Sequence, residues 1–247
     1  MADELTQRFR SARRDSNLVV LEGFHALKHA LRFGAEVEVA VAEDPAALEE
    51  LAADLAPDLA GSLAGRVLAV EPAALAELVP QAPRTGVVAI ARRPAVDLAA
   101  ALADPRPAPV VVLEQPRNMG NLGACVRVAA AADAAALVVV GENDPWNPDA
   151  VRGGAGLQFA LPVAAVAELP VSDRPLLAID PEGEDLDPAR LPARAALAFG
   201  TERHGLSDGL LARADARVAI PMRPGVSSLN LATSVSAVLF AWRLSTG

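Results

Sequence analysis

The sequence predicts an α/β protein in two parts, a smaller α/β domain followed by one built on a parallel sheet. Three observations carry that prediction. In the first third, short strand-like runs alternate with helix-like runs. Beyond residue 109 the strand candidates become continuous apolar runs, as strands buried on both faces of a parallel sheet do. Aromatics make up only 3% of a chain that is 52% hydrophobic. Ala, Val and Leu must therefore fill the interior, which suits layered α/β packing better than an aromatic-rich sandwich.

Taken in order, "NLVVLEG" and "VEVAVAE" read as strands, with "FHALKHALRFG" between them as a helix ended by Gly34. "DPAALEELAADLAPDL" opens on a helix start at Asp44 and Pro45. "RVLAV", the Pro-started helix "EPAALAELV" and the strand "TGVVAIARR" complete a domain over 1–95. "PAVDLAAALADPRPAP" reads as a short helix and a stiff connector over 96–109. The second domain, 110–247, takes "VVVLEQ", "ALVVVGE", "PLLAIDPEG", "AALAFGTE" and "ARVAIPM" as strands and "SLNLATSVSAVLFAWRL" as a packed last helix.

The totals narrow the function. No apolar run reaches the roughly 18 residues of a membrane span, and "MADELTQRFRSARRDS" lacks the apolar stretch of a secretory signal. The single cysteine, Cys125, excludes an internal disulfide and suits a reducing cytoplasm. A cytoplasmic protein without a membrane partner is the expectation. With 22 basic and 31 acidic residues the net charge is −9, which does not suggest a nucleic-acid binder. Binding depends on local patches, however, and Arg8, Arg10, Arg13 and Arg14 cluster near the start. They read either as a solvated tail or as phosphate contacts. His25, His29 and His204 with one cysteine give no metal-ligand spacing, so no metal is expected.

Other motifs fail. "RGGAGLQF" is glycine-rich but follows no strand, so a dinucleotide fingerprint is weak. No Walker loop is present. His204 stands near Ser207 and Asp208, but no nucleophile elbow accompanies them.

In an open parallel sheet, ligands bind outside the carboxyl ends of the strands. Three such ends carry polar residues and glycines: "NMGNLGACVR", "FGTERHGLS" and "IPMRPGVSSLN". Arg127 falls inside an otherwise apolar helix, where a half-buried guanidinium requires a partner or a ligand. Ser227 or Ser228 reads equally as a plain cap for the last helix.

These three loops, in order and spacing, resemble the motifs of the SpoU/TrmH-type RNA 2′-O-ribose methyltransferases of the SPOUT superfamily. "NPDAVRGGAGLQFALPV" matches the segment between the first two motifs, and "VVLEGFHALKHAL" resembles the L30-like substrate domain of the ribosomal RNA members. The resemblance implies a parallel-sheet SPOUT domain with a deep trefoil knot, a homodimer, and S-adenosylmethionine as cofactor. It implies RNA as substrate, ribosomal RNA ahead of transfer RNA. Gly200, Thr201, Ile220, Met222 and Leu229 match cofactor-contacting positions. Asn118, Arg127, Glu202, Ser228 and Asn230 match the functional polar set, with Asn118 and Asn230 holding Arg127 and the loops in register. The helix start "LATSVSAVL" departs from the "VSVAAG"-like form of many members, which touches packing more than chemistry. For the homodimer, Leu239, Phe240 and Trp242 on the last helix offer an apolar surface.

A ribose 2′-hydroxyl is a poor nucleophile, so alignment and proton removal are the tasks. A planar guanidinium that keeps its proton suits gripping a phosphate beside the target ribose, rather than serving as base. Two other readings stay open: a non-catalytic RNA-binding or ribosome-assembly protein that keeps the fold, and a methyltransferase with a non-RNA substrate.

Overall fold

The computed structural model describes residues 2–59, 61–63, 65–201 and 204–246. The chain forms two compact units, one from 1–95 with 146–160 and the other from 96–145 with 161–247.

Unit 1 is a four-stranded sheet of β1 (Leu18–Glu22), β2 (Val37–Ala42), β3 (Val67–Ala69) and β4 (Val87–Arg92), in the order β1-β4-β2-β3. Among these strands only β2 and β3 pair in parallel. The alternation of strand side chains feeds two apolar clusters. Val19, Leu21, Val87, Ala89 and Ala91 join one, while Val20, Val88 and Ile90 join the other. The helices are α1 (Ala2–Ala12), α2 (Phe24–Arg32), α3 (Pro45–Leu55) and α4 (Pro72–Leu78). Asp44 caps α3 by accepting the N–H groups of Ala46 and Ala47. Of the arginine-rich start, Arg8 and Arg10 lie on α1 and Arg13 and Arg14 in the turn after it, so the segment is packed rather than a free tail although Arg8, Arg10 and Arg14 stay exposed. Its Phe9 is fully buried, Arg8 pairs with Glu38 at 3.3 Å, and Arg13 with Glu22 at 2.8 Å.

No sequence signal separates 146–160 from its neighbours, yet this segment packs within unit 1. It carries α7 (Pro148–Gly153), and its Trp146 and Val151 are buried with Phe24 and Leu27. Arg152 reaches the buried Glu22 carboxylate at 2.7 Å, so two guanidiniums share it. A Cβ on Gly156 would stand 2.6 Å from the Ala26 carbonyl oxygen, and its φ is +76°. The glycine-rich run thus permits close packing on α2 rather than a nucleotide loop. The His29 ring donates Nδ1–H to the Ala155 carbonyl at 2.7 Å. Burial holds the His29 pKa below its usual value, against the opposing pull of that hydrogen bond.

Unit 2 is a six-stranded sheet of β5 (Val110–Glu114), β6 (Ala136–Val140), β7 (Val163–Val166), β8 (Leu176–Asp185), β9 (Ala196–Phe199) and β10 (Ala216–Ala219). Every pairing is parallel, in the order β10-β8-β9-β5-β6-β7. The edge strand β7, only four residues long, has no strand signal of its own in the sequence. The pairing of β10 jumps from Ala178 to Glu184 on β8, so 179–183 leave the ladder. Gly183 allows this, since a Cβ there would lie 2.5 Å from the backbone of Arg217.

The helices of unit 2 are α5 (Leu98–Ala103), α6 (Met119–Ala131), α8 (Asp208–Arg213) and α9 (Leu231–Thr246). Leu239 and Trp242, expected on a dimer surface, are instead buried in the unit's own core. Of that surface Phe240 stays 38% exposed, joined by Leu244 at 83%. Helical spacing explains the correction, because 239 and 242 share the α9 face with Val235 and Val238. No described helix is long and apolar enough to cross a membrane.

The connector is fastened down by Arg174, which is 4% exposed. Its guanidinium donates to the carbonyls of Leu102, Asp104 and Ala108 at 2.6, 3.0 and 2.8 Å, and to Arg194 at 3.3 Å. Removing it leaves buried carbonyls without donors. We expect Arg174→Ala to lower stability by about 3 kcal/mol in urea unfolding, with Arg174→Lys recovering little, since one ammonium cannot span these acceptors.

His29 gives a second test. A histidine with its folded pKa depressed adds stability above the unfolded pKa and loses it as pH falls through the folded value. The protection of amides in 146–160, taken relative to their intrinsic exchange rates, should therefore fall below about pH 6.5. His29→Asn should remove that acid dependence.

Candidate active site

The site region begins where β5 ends. Gln115, just beyond the strand, has φ +47°, a left-handed conformation rare outside glycine, and its N–H bonds to the Val140 carbonyl at 2.8 Å. The chain then turns into α6. The Asn118 side chain accepts the Asn121 N–H at 2.9 Å, so Asn118 is the cap of α6. Asn121, one turn into the helix, accepts from the Asn230 amide at 3.2 Å. Asn230 in turn caps α9, accepting from the N–H groups of Ala232 and Thr233 at 3.0 and 3.4 Å.

Asn121, not Asn118, is therefore the partner that links motif one to Asn230. An asparagine three residues after a cap-forming asparagine marks this arrangement, since the first is consumed by the helix start. At the far ends, Arg243 donates to the Ala132 carbonyl at 2.9 Å. The two helices thus run side by side in one direction. Their capped N-terminal ends lie together at the carboxyl edge of the sheet, where the positive ends of two helix dipoles favour anions.

Arg127 is exposed on α6 rather than half-buried, and among the described residues no hydrogen bond or ion pair engages it. Its position on the polar side of a helix whose other face is packed explains the difference. Glu202 lies outside the described residues.

The second motif forms a loop closed on itself. Thr201 and Gly205 exchange backbone hydrogen bonds at 3.1 and 3.0 Å, and the Thr201 hydroxyl accepts the His204 N–H at 3.1 Å. A Cβ on Gly200 would fall 2.0 Å from the Gly205 carbonyl carbon, so no side chain fits there.

At the carboxyl ends of β8, β9 and β10 lies a cavity of about 500 Å³. All five expected cofactor positions line it: Gly200, Thr201, Ile220, Met222 and Leu229. Ser228 lines it too, whereas Asn118, Arg127 and Asn230 do not. Sequence reasoning missed the carboxylates of Asp180, Glu182 and Asp208 in the same wall. The acidic run "DPEGED" at the end of β8 was the signal for the first two. A cavity of this size with apolar walls and a few polar groups suits a small organic ligand, and the carboxylates suit one with cationic groups. No cluster of described residues could hold a metal ion.

Comparison with known proteins adds to this geometry. The model of the SpoU rRNA Methylase family matches residues 108–240. An uncharacterised tRNA/rRNA methyltransferase of Mycobacterium bovis is 36% identical over 169 residues, 63% of this chain and 58% of that protein. A 23S rRNA (uridine(2479)-2′-O)-methyltransferase of Streptomyces viridochromogenes is 31% identical over 147 residues, 53% of this chain and 50% of that one. The chain spans about half the length of such curated relatives. Among solved structures, the SpoU methyltransferase AviRb of Streptomyces viridochromogenes, crystallised with AdoMet, aligns with TM-score 0.77 and 26% identity. That alignment covers 98% of this chain and 97% of AviRb. With its parallel sheet, its three loops and the matched family model, the chain belongs to the SpoU rRNA Methylase family.

Proposed function

We propose that the protein is an S-adenosylmethionine-dependent RNA methyltransferase acting on a ribose 2′-hydroxyl, with ribosomal RNA as substrate. The observation that carries this reading is the cavity, because all five positions implied by the resemblance line it. The fit is chemical as well as spatial. Ile220, Met222 and Leu229 offer apolar walls to a nucleoside, the glycine loop offers backbone groups, and Asp180 and Asp208 complement a ligand with sulfonium and ammonium charges, while Glu182 pairs at 3.8 Å with Arg217 of the same lining.

Bound there, S-adenosylmethionine supplies a methyl group on a positively charged sulfur, open to in-line displacement by an oxygen nucleophile. The chain's own residues have the tasks of alignment and proton handling. Arg127, exposed and without a described partner, grips the phosphate beside the target ribose as a planar fork. The paired helix starts at Asn118 and Asn230 add the positive ends of two helix dipoles, which favour an anionic ligand at this edge. The Asn121–Asn230 bond keeps the two motifs in register, and Ser228 stands between the cavity and the α9 cap. The ribose proton leaves to the phosphate or to water, since a guanidinium keeps its own.

Unit 1, a small α/β body with the pattern of an L30-like domain, selects the RNA. Its exposed Arg8, Arg10 and Arg14 support that role. Like the other SPOUT members it resembles, the protein carries a trefoil knot in unit 2. The tight backbone passages at Gly183 and Gly200 support this. It acts in the cytoplasm as a homodimer, for which the outward Phe240 and Leu244 of α9 provide apolar surface. Light scattering at micromolar concentration should give twice the chain mass.

The direct test is transfer of labelled methyl from S-adenosylmethionine to total ribosomal and transfer RNA. Product in ribosomal RNA, mapped to a 2′-O-methyl, is the expected result; no RNA product from cofactor-binding protein would overturn the reading. Arg127→Ala should lower turnover by about 100-fold or more while cofactor affinity stays within about twofold, and Arg127→Lys should restore little. A stable, cofactor-binding Arg127→Ala with normal turnover would remove Arg127 from the mechanism. Gly200→Ala should do the reverse and abolish cofactor binding, because backbone rather than a movable side chain blocks the added methyl.

A further inference from the structure

We propose that Glu114 is a positioning residue that fastens Ser207 and its cavity-lining neighbours, Leu206 and Asp208, to the end of β5 and thereby sets the affinity of the cavity for cofactor. This rests on reading the cavity as an S-adenosylmethionine site. Glu114 is the last residue of β5, and its two carboxylate oxygens have separate tasks. One accepts the Ser207 hydroxyl at 2.7 Å and the other accepts the Ser207 N–H at 2.7 Å. Both lengths lie in the range of charge-assisted hydrogen bonds. The Ser207 hydroxyl oxygen also accepts the Leu210 N–H at 3.2 Å, which caps α8.

A serine cap needs no carboxylate, so the reach of Glu114 across 93 residues of sequence is an added tertiary tie. Its place in the loop explains what it does. Leu206 and Asp208, the two chain neighbours of Ser207, line the cavity, as do Gly200, Thr201 and Gly205. The Thr201–Gly205 bonds close the loop on itself, whereas the Glu114–Ser207 bonds join it to β5. The strand end is itself held, because the left-handed turn at Gln115 is pinned through its N–H to Val140. With both oxygens already occupied by donors, Glu114 is poorly placed to take a proton from substrate.

The experiment is calorimetric titration of full-length protein with S-adenosylmethionine, for the wild type, Glu114→Ala, Glu114→Gln, Ser207→Ala and the double alanine variant. Glu114→Ala should raise Kd about tenfold, the effect of losing charge-assisted bonds at a partly exposed site. Glu114→Gln, which can still accept the N–H and meet the hydroxyl, should stay within about threefold of wild type. The double variant should bind no more weakly than Glu114→Ala alone, since both changes remove one interaction. In methyl transfer to total RNA, Glu114→Ala should show a raised cofactor KM, with turnover restored at saturating cofactor.

Should Glu114→Ala fold poorly, Glu114→Gln and Ser207→Ala carry the same comparison. Wild type that binds, with Glu114→Ala binding equally well, overturns the positioning role and leaves the cavity assignment standing. Additive losses in the double variant overturn it as well, as does Glu114→Gln as weak as Glu114→Ala. Wild type that does not bind at all overturns the cavity assignment and the positioning role with it.

Discussion

All six strands of unit 2 run in the same direction, and the rest of the unit depends on that constraint. Parallel pairing forces each strand to be followed by a crossover, so every strand releases its chain at the same edge. The loops after β5, β9 and β10 are far apart in sequence, yet they meet there, and the Glu114–Ser207 and Asn121–Asn230 bonds then fasten them to one another. Continuous apolar strands such as Val110–Leu113 and Ala136–Val139 are the source of this order, because both faces of the sheet must be covered. Chemistry is left to the rim, where the backbone groups are not consumed by the ladder.

Small local devices then sharpen the rim. Gly200 and Gly183 let backbone pass backbone at distances no side chain tolerates. Asn118 and Asn230 spend their side chains on helix starts, and the Asn121 amide joins those starts together. Each contact is modest by itself, on the order of 1 kcal/mol. Their effect is geometric, since they decide where N–H groups and cavity walls stand relative to each other. Preorganisation of this kind is what a displacement reaction at a weak nucleophile needs. The exposed Arg127 has no hydrogen-bond or ion-pair partner among the described residues, which is what the proposed grip on an incoming phosphate requires.

Unit 1 follows a different rule. Its sheet is mixed, and its core is completed by 146–160, with Trp146 and Val151 inside it and Arg152 sharing the buried Glu22 with Arg13. A buried carboxylate held by two guanidiniums is costly to break, since either loss leaves charge uncompensated. That is a strong reason for the segment to stay where it is. It also shows why a glycine-rich run is poor evidence for a nucleotide site: Gly156 is required by the proximity of Ala26.

The sequence by itself determined the α/β class, every described strand except β7, the last helix and the three motif loops, because hydrophobic period and turn chemistry are local properties. The resemblance to the SpoU/TrmH-type enzymes grouped Gly200, Thr201, Ile220, Met222 and Leu229 as a set, and all five line the cavity. Contacts between distant residues were beyond the sequence. Nothing local marks 146–160 as part of unit 1, and although the spacing of Asn118 and Asn121 marks a cap, it does not show that Asn121 meets Asn230. Helical spacing groups Leu239 and Trp242 with Val235 and Val238, but only packing shows that this face of α9 is covered by the unit's own core, and that Arg127 lies exposed on the surface. The four-residue β7 was invisible for a related reason, since an edge strand takes its conformation from the neighbour it pairs with. Those choices belong to tertiary structure, because each is settled by which surfaces pack together, and packing depends on the whole chain rather than on any stretch of it.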